Sequence, residues 1–159
     1  MNNLPSLLRA GVAAAALGTV LAITGCSSMP MGSSAGSTPT LATQSLRATL
    51  SGAAEVPANA SAGTGSLTAT FDRASSVLRW KLEYTGLSGP ATMAHFHGPA
   101  LPGANAGVVV PLPSAASPAT GEATLTPAQV ADLMAGKWYL NVHTAKNPGG
   151  EIRGQVLAN

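Results

Sequence analysis

The chain has 159 residues, 45% hydrophobic and only 9% charged, with a formal net charge of +2. Arg9 is the one basic residue before position 26, so the charges beyond it nearly cancel, and no basic cluster is interleaved with aromatics; nucleic acid is excluded as a partner class. With Cys26 as its single cysteine, a chain of this length supports one domain that holds by packing, or with help from a metal, and not by disulfides.

Residues 1–25 read as a signal peptide. Arg9 precedes an apolar run over 10–23, too short to span a bilayer comfortably, and Thr24-Gly25-Cys26 is a small-residue exit. Ile23-Thr24-Gly25-Cys26 resembles a bacterial lipobox, which implies that Cys26 receives diacylglycerol and becomes the first mature residue. The alternative is a buried free thiol in a cytosolic protein. Ser27 stands where an inner-membrane retention signal would have aspartate, so the expected address is the outer membrane, facing the periplasm. Residues 26–45, rich in Ser, Gly, Pro, Thr and Ala, read as a flexible tether, with a folded domain over 46–159.

Within that domain, short runs of period-two alternation separated by Gly, Pro and Ser predict an all-β antiparallel sandwich or barrel of about eight strands. Leu67, Ala69 and Phe71, then Leu78, Trp80, Leu82 and Tyr84, alternate with polar residues and predict a hairpin through 73–76 with one face buried. The other strands are expected over 47–51, 91–97, 107–111, 121–125, 138–143 and 151–156. One short helix interrupts them. Thr126 is its N-cap, Pro127 its first residue and Gly136 its stop, and Val130, Leu133 and Met134 form an apolar stripe.

All three histidines lie in two segments, Met93-Ala94-His95-Phe96-His97-Gly98-Pro99 and Tyr139-Leu140-Asn141-Val142-His143-Thr144. On a strand His95 and His97 share a face and stand about 6.5–7 Å apart, within reach of one ion. Alternatively they are surface histidines flanking a turn. His143 falls opposite Leu140 and Val142, off the core face, and either completes a metal site or hydrogen-bonds its neighbouring loop. Three imidazoles without a thiolate suit Cu(II), or zinc with an open position. Met93 shares the face of His95 and is expected to pack in preference to ligating. Arg153, on the polar face of the last strand, is either an anion-binding group or, by default, a partner for Glu151. No nucleophilic triad, phosphate-binding glycine loop or paired-carboxylate site can be assembled.

Leu50-Ser51-Gly52-Ala53-Ala54-Glu55-Val56-Pro57, the segment 94–100, Thr124-Leu125-Thr126, and the segment 139–144 followed by Pro148-Gly149-Gly150-Glu151-Ile152-Arg153-Gly154-Gln155 together resemble the CHRD (chordin) domain family. That resemblance covers about 46–156 and implies a sandwich domain of extracellular or envelope proteins. More distantly, the order of Gly86-Leu87-Ser88-Gly89, His95-Phe96-His97, Val142-His143 and Arg153 is similar to copper/zinc superoxide dismutase. This likeness implies a Greek-key, superoxide-dismutase-like arrangement of the strands, with His95, His97 and His143 as copper ligands and Arg153 attracting an anion. The zinc ligands and the disulfide cysteines of the dismutases are missing, which leaves a single copper. The expected function is therefore a copper-binding envelope lipoprotein, more a binder than an enzyme, with a metal-free adhesion or interaction module as the alternative and a copper-only dismutase-like catalyst third.

Overall fold

Leu46, Ala48 and Leu50 of β1 (Thr43–Ser51), Leu67, Ala69 and Phe71 of β2 (Thr64–Asp72), and Leu78, Trp80 and Leu82 of β3 (Val77–Thr85) are buried. The residues between them in the alternation are mostly exposed, so one face of this meander carries the core and the other meets water. These strands belong to a computed structural model that describes residues 42–159; the expected signal peptide, Cys26 and most of the tether lie outside the described residues. The β2–β3 turn is built by Asp72, whose carboxylate accepts from the N–H groups of Ala74 and Ser75. β1 begins at Thr43, before the expected start, because its pairing with β2 extends to Thr43 opposite Asp72.

The remaining strands are β4 (Ala91–His97), β5 (Val108–Pro111), β6 (Ala119–Thr124), β7 (Trp138–Thr144) and β8 (Ile152–Ala158). All eight form one antiparallel sheet in the order β5-β4-β7-β8-β1-β2-β3-β6, curled into a nearly closed barrel with β5 and β6 as its edges. Strand β7 returns to pair with β4 and not with its sequence neighbour β6, the Greek-key crossing expected of the fold. Helix α1 (Pro127–Met134) starts where expected: Thr126 and Gln129 form a reciprocal capping box, and Gly136 takes a positive φ of 67° just past its end. Its stripe seats Leu133 in the core, with Val130 and Met134 packed at the margin.

Strand β7 departs from the simple two-face pattern, since all seven of its residues are buried. Leu140 and Val142 face the barrel interior, while the opposite face is covered by the loops before β2, after β4 and after β7, which donate to or accept from its neighbours. On β8, Gly154 passes close to β1, where a Cβ would collide with the carbonyl oxygen of Thr49. A methyl group there forces the β1–β8 ladder apart. Gly154→Ala is accordingly expected to lower the unfolding free energy by on the order of 2–3 kcal/mol in urea titrations, with an unchanged m-value.

Candidate metal centre

The antiparallel β4–β7 register sets Met93 opposite His143, His95 opposite Asn141 and His97 opposite Tyr139. The two histidine segments thus meet on adjacent strands, and the ring nitrogens that His95, His97 and His143 offer lie within 4.8 Å of one another. His97 and His143 are buried, and His95 is half-buried. The cluster sits on the face opposite Leu140 and Val142, as the alternation required, but under loops and not on an open surface.

Two loop carbonyls fix the chemistry of the rings. Nδ1 of His97 donates to the carbonyl of Ala106 at 3.0 Å, and Nδ1 of His143 donates to the carbonyl of Pro148 at 3.0 Å. A carbonyl oxygen can only accept, so in each neutral ring the proton is on Nδ1 and the lone pair on Nε2. Nε2 of His97 is buried without a hydrogen-bond partner. Nε2 of His143 lies 3.3 Å from Nδ1 of His95. Burial, then the neighbouring His143 and His97, push the His95 pKa below its usual value. Burial also lowers that of His143; its bond to Pro148 opposes the shift and His97 adds to it. Both rings are therefore held neutral and available as ligands at pH 7.

This arrangement fits a metal. Metal-bound imidazoles typically donate their second nitrogen to a carbonyl or carboxylate, and the two Nδ1–H bonds are of that kind. Two nitrogens each about 2 Å from a tetrahedral ion stand roughly 3.3 Å apart, the separation already present between His95 and His143. The orphaned Nε2 of His97 supplies the third lone pair. Met93, across from His143, is 49% exposed, so it is not the packed residue its face had suggested.

The default partnership of Arg153 with Glu151 does not form. Arg153 donates from Nη1 to Oδ1 of Asn105 at 2.9 Å and from Nη2 to the carbonyl of Ala104 at 2.7 Å. Its guanidinium also lies 3.4 Å from the centre of the Tyr139 ring, which on its β4 side stacks parallel to His97 at 4.8 Å. Arg153 is 2% exposed and lines a small cleft of about 230 Å³ with Glu55, Val56 and Gln155. It holds in place the loop whose Ala106 carbonyl orients His97.

Glu151 instead accepts from the hydroxyls of Ser61, Ser88 and Thr144 and from the N–H of Ser88. Burial raises its pKa, but these donors outweigh burial and bring it to about 2. The sequence reading also passed over Glu55, a buried carboxylate beside Arg153 and Asn141, whose pKa burial raises and Arg153 lowers in part. It passed over Asn141 as well, although Asn141 shares the face of His143 and stands in the same segment.

An eight-stranded Greek-key barrel with a largely buried three-histidine cluster is thus the class of protein that fold and site define. The chain belongs to the CHRD domain family, whose model matches residues 46–156. Among curated proteins and among solved structures nothing matches it.

Glu151 titrates near 2 in the fold and near 4.5 as a free side chain, so the stability it contributes is complete above about pH 4.5 and is lost as pH falls toward 2. Glu151→Gln, which turns an amide N–H against hydroxyl donors, is expected to cost on the order of 3 kcal/mol at pH 7. The variant should also lose most of the parent's stability change between pH 5 and pH 2.5, measured by urea unfolding.

Proposed function

We propose that this protein is an envelope lipoprotein whose CHRD domain holds a single copper ion through His95, His97 and His143. The observation that carries the reading is the buried, unpartnered Nε2 of His97 beside two further imidazole nitrogens, with the Nδ1 atoms of His97 and His143 tied to backbone carbonyls. A lone pair buried without a donor costs free energy unless a cation or proton meets it. Neutral imidazoles in a site without thiolate favour Cu(II), with zinc as the competing ion. When bound, copper would supply an electron-accepting centre; the chain's own residues hold, orient and partly shield it.

Binding is favoured over turnover. Arg153, which the dismutase likeness would use to draw in an anion, has two of its donors engaged by Ala104 and Asn105 and its plane covered by Tyr139. The lipid anchor at Cys26 follows from the lipobox-like segment and would set the domain on the membrane surface, outside the cytosol.

Untagged protein titrated with Cu(II) is expected to bind one equivalent, and His97→Ala and His143→Ala should each weaken binding at least tenfold. Saturating copper with no binding, or unchanged affinity in both variants, would refute the reading. Cells fed labelled palmitate should incorporate it into the parent and not into Cys26→Ala; equal labelling removes the anchor at Cys26.

A further inference from the structure

We infer that Asn141 is a fourth protein ligand of the same centre, offering its side-chain amide oxygen beside the three imidazoles; this rests on the metal-binding reading above. Asn141 is two residues from His143 on β7, on the same face, and directly opposite His95 on β4. It is 3% exposed, and its Oδ1 lies 2.9 Å from Nε2 of His143.

That contact has the wrong sign for two neutral groups alone. Nδ1 of His143 carries the proton given to Pro148, so Nε2 presents a lone pair, and an amide oxygen has no proton to offer it. Two acceptors face each other across 2.9 Å, which is repulsive until a cation sits within reach of both. The spacing suits one. Ligands about 2 Å from a shared ion and roughly 90° apart stand about 2.9 Å from each other, and the His95–His143 separation of 3.3 Å corresponds to a slightly wider angle about the same ion.

Orientation of the amide is set from behind. Its nitrogen lies beside the buried Glu55 carboxylate, where both groups border the position that a Cβ on Gly150 would take. Reversing the amide would aim its oxygen at that carboxylate, so the acidic neighbour turns Oδ1 toward the histidines. Gly150, with φ of 134°, has no side chain there; a Cβ would occupy the space that Glu55 and Asn141 use. The resulting donor set of three nitrogens and one hard oxygen favours Cu(II) or zinc, while the oxygen adds little to Cu(I), which prefers soft ligands.

Cu(II) and Cu(I) affinities and the Cu(II) EPR spectrum of the untagged chain test this. Asn141→Leu is expected to weaken Cu(II) binding roughly tenfold or more and to change the copper hyperfine splitting. Its Cu(I) affinity should stay within about threefold of the parent. Asn141→Asp, which keeps an oxygen at the same place, should retain Cu(II) binding with a spectrum distinct from the parent's. Parental Cu(II) affinity and spectrum in Asn141→Leu, or equal losses of Cu(II) and Cu(I), would overturn the assignment while leaving the three-histidine site intact. If Asn141→Leu does not fold, a spectrum of Asn141→Asp identical to the parent's overturns it. Copper binding absent from the parent overturns both this ligand and the function it rests on.

Discussion

Strand β7 has no face left to water, and most of what is particular to this domain follows from that constraint. One side of the strand, with Leu140 and Val142, belongs to the apolar core and needs no partners beyond packing. Tyr139, Asn141 and His143 on the other side, with Arg153 beside them on β8, carry polar atoms into an environment without solvent. Each such atom must be paired or be costly. Four loops supply the pairing: Ala104, Asn105 and Ala106 for Arg153 and His97, Pro148 for His143, and Ser61 and Ser88, from two separate loops, for Glu151. What they leave unpaired on this side is Nε2 of His97, Oε1 of Glu55 and a contact of like character between Asn141 and His143. A burial this complete with its residual lone pairs gathered in one place has the form of a ligand cage.

The two charged residues of the 151–153 segment divide the work of keeping that cage closed. Glu151 gathers the hydroxyls of Ser61, Ser88 and Thr144 and so ties the segments before β2 and before β4 to the end of β7. Arg153 clamps the loop after β4 while lying over the Tyr139 ring, whose hydroxyl also meets Ala106. Neither is a simple ion pair, and each is a charged group satisfied mainly by neutral donors or acceptors. Charge-assisted bonds of this sort are stronger than neutral ones and hold loops that would otherwise drift.

The framework of this fold was legible because alternation is a local signal. Leu46 to Leu50, Leu67 to Phe71 and Leu78 to Leu82 announce their buried faces residue by residue, and Thr126, Pro127 and Gly136 mark the helix ends by their own backbone preferences. The three histidines were legible as candidates for the same reason, since spacing on a strand decides who shares a face. Depth was not. Nothing in Tyr139-Leu140-Asn141-Val142-His143 says that loops far away in sequence will roof the polar side, so Arg153 read as a surface cation with Glu151 as its natural partner. The loop contacts that separate them join residues about fifty positions apart, and local periodicity carries no trace of such pairings.

Coupling between the cage and the fold follows from this construction. His97 and His143 are oriented by carbonyls of loops that Arg153 and Glu151 hold, and most residues of the loop after β4 are exposed. An ion bound to the imidazoles would tie β4 to β7 across the face where the sheet is covered by loops alone, and its binding free energy would add to the stability of the folded state by linkage. In a domain without disulfides among its described residues, such a cross-link would do mechanically what a cystine does elsewhere. With an ion bound, the centre would be a structural feature of the barrel as much as a binding site, and weakening the loops and weakening the metal would be two routes to the same loss.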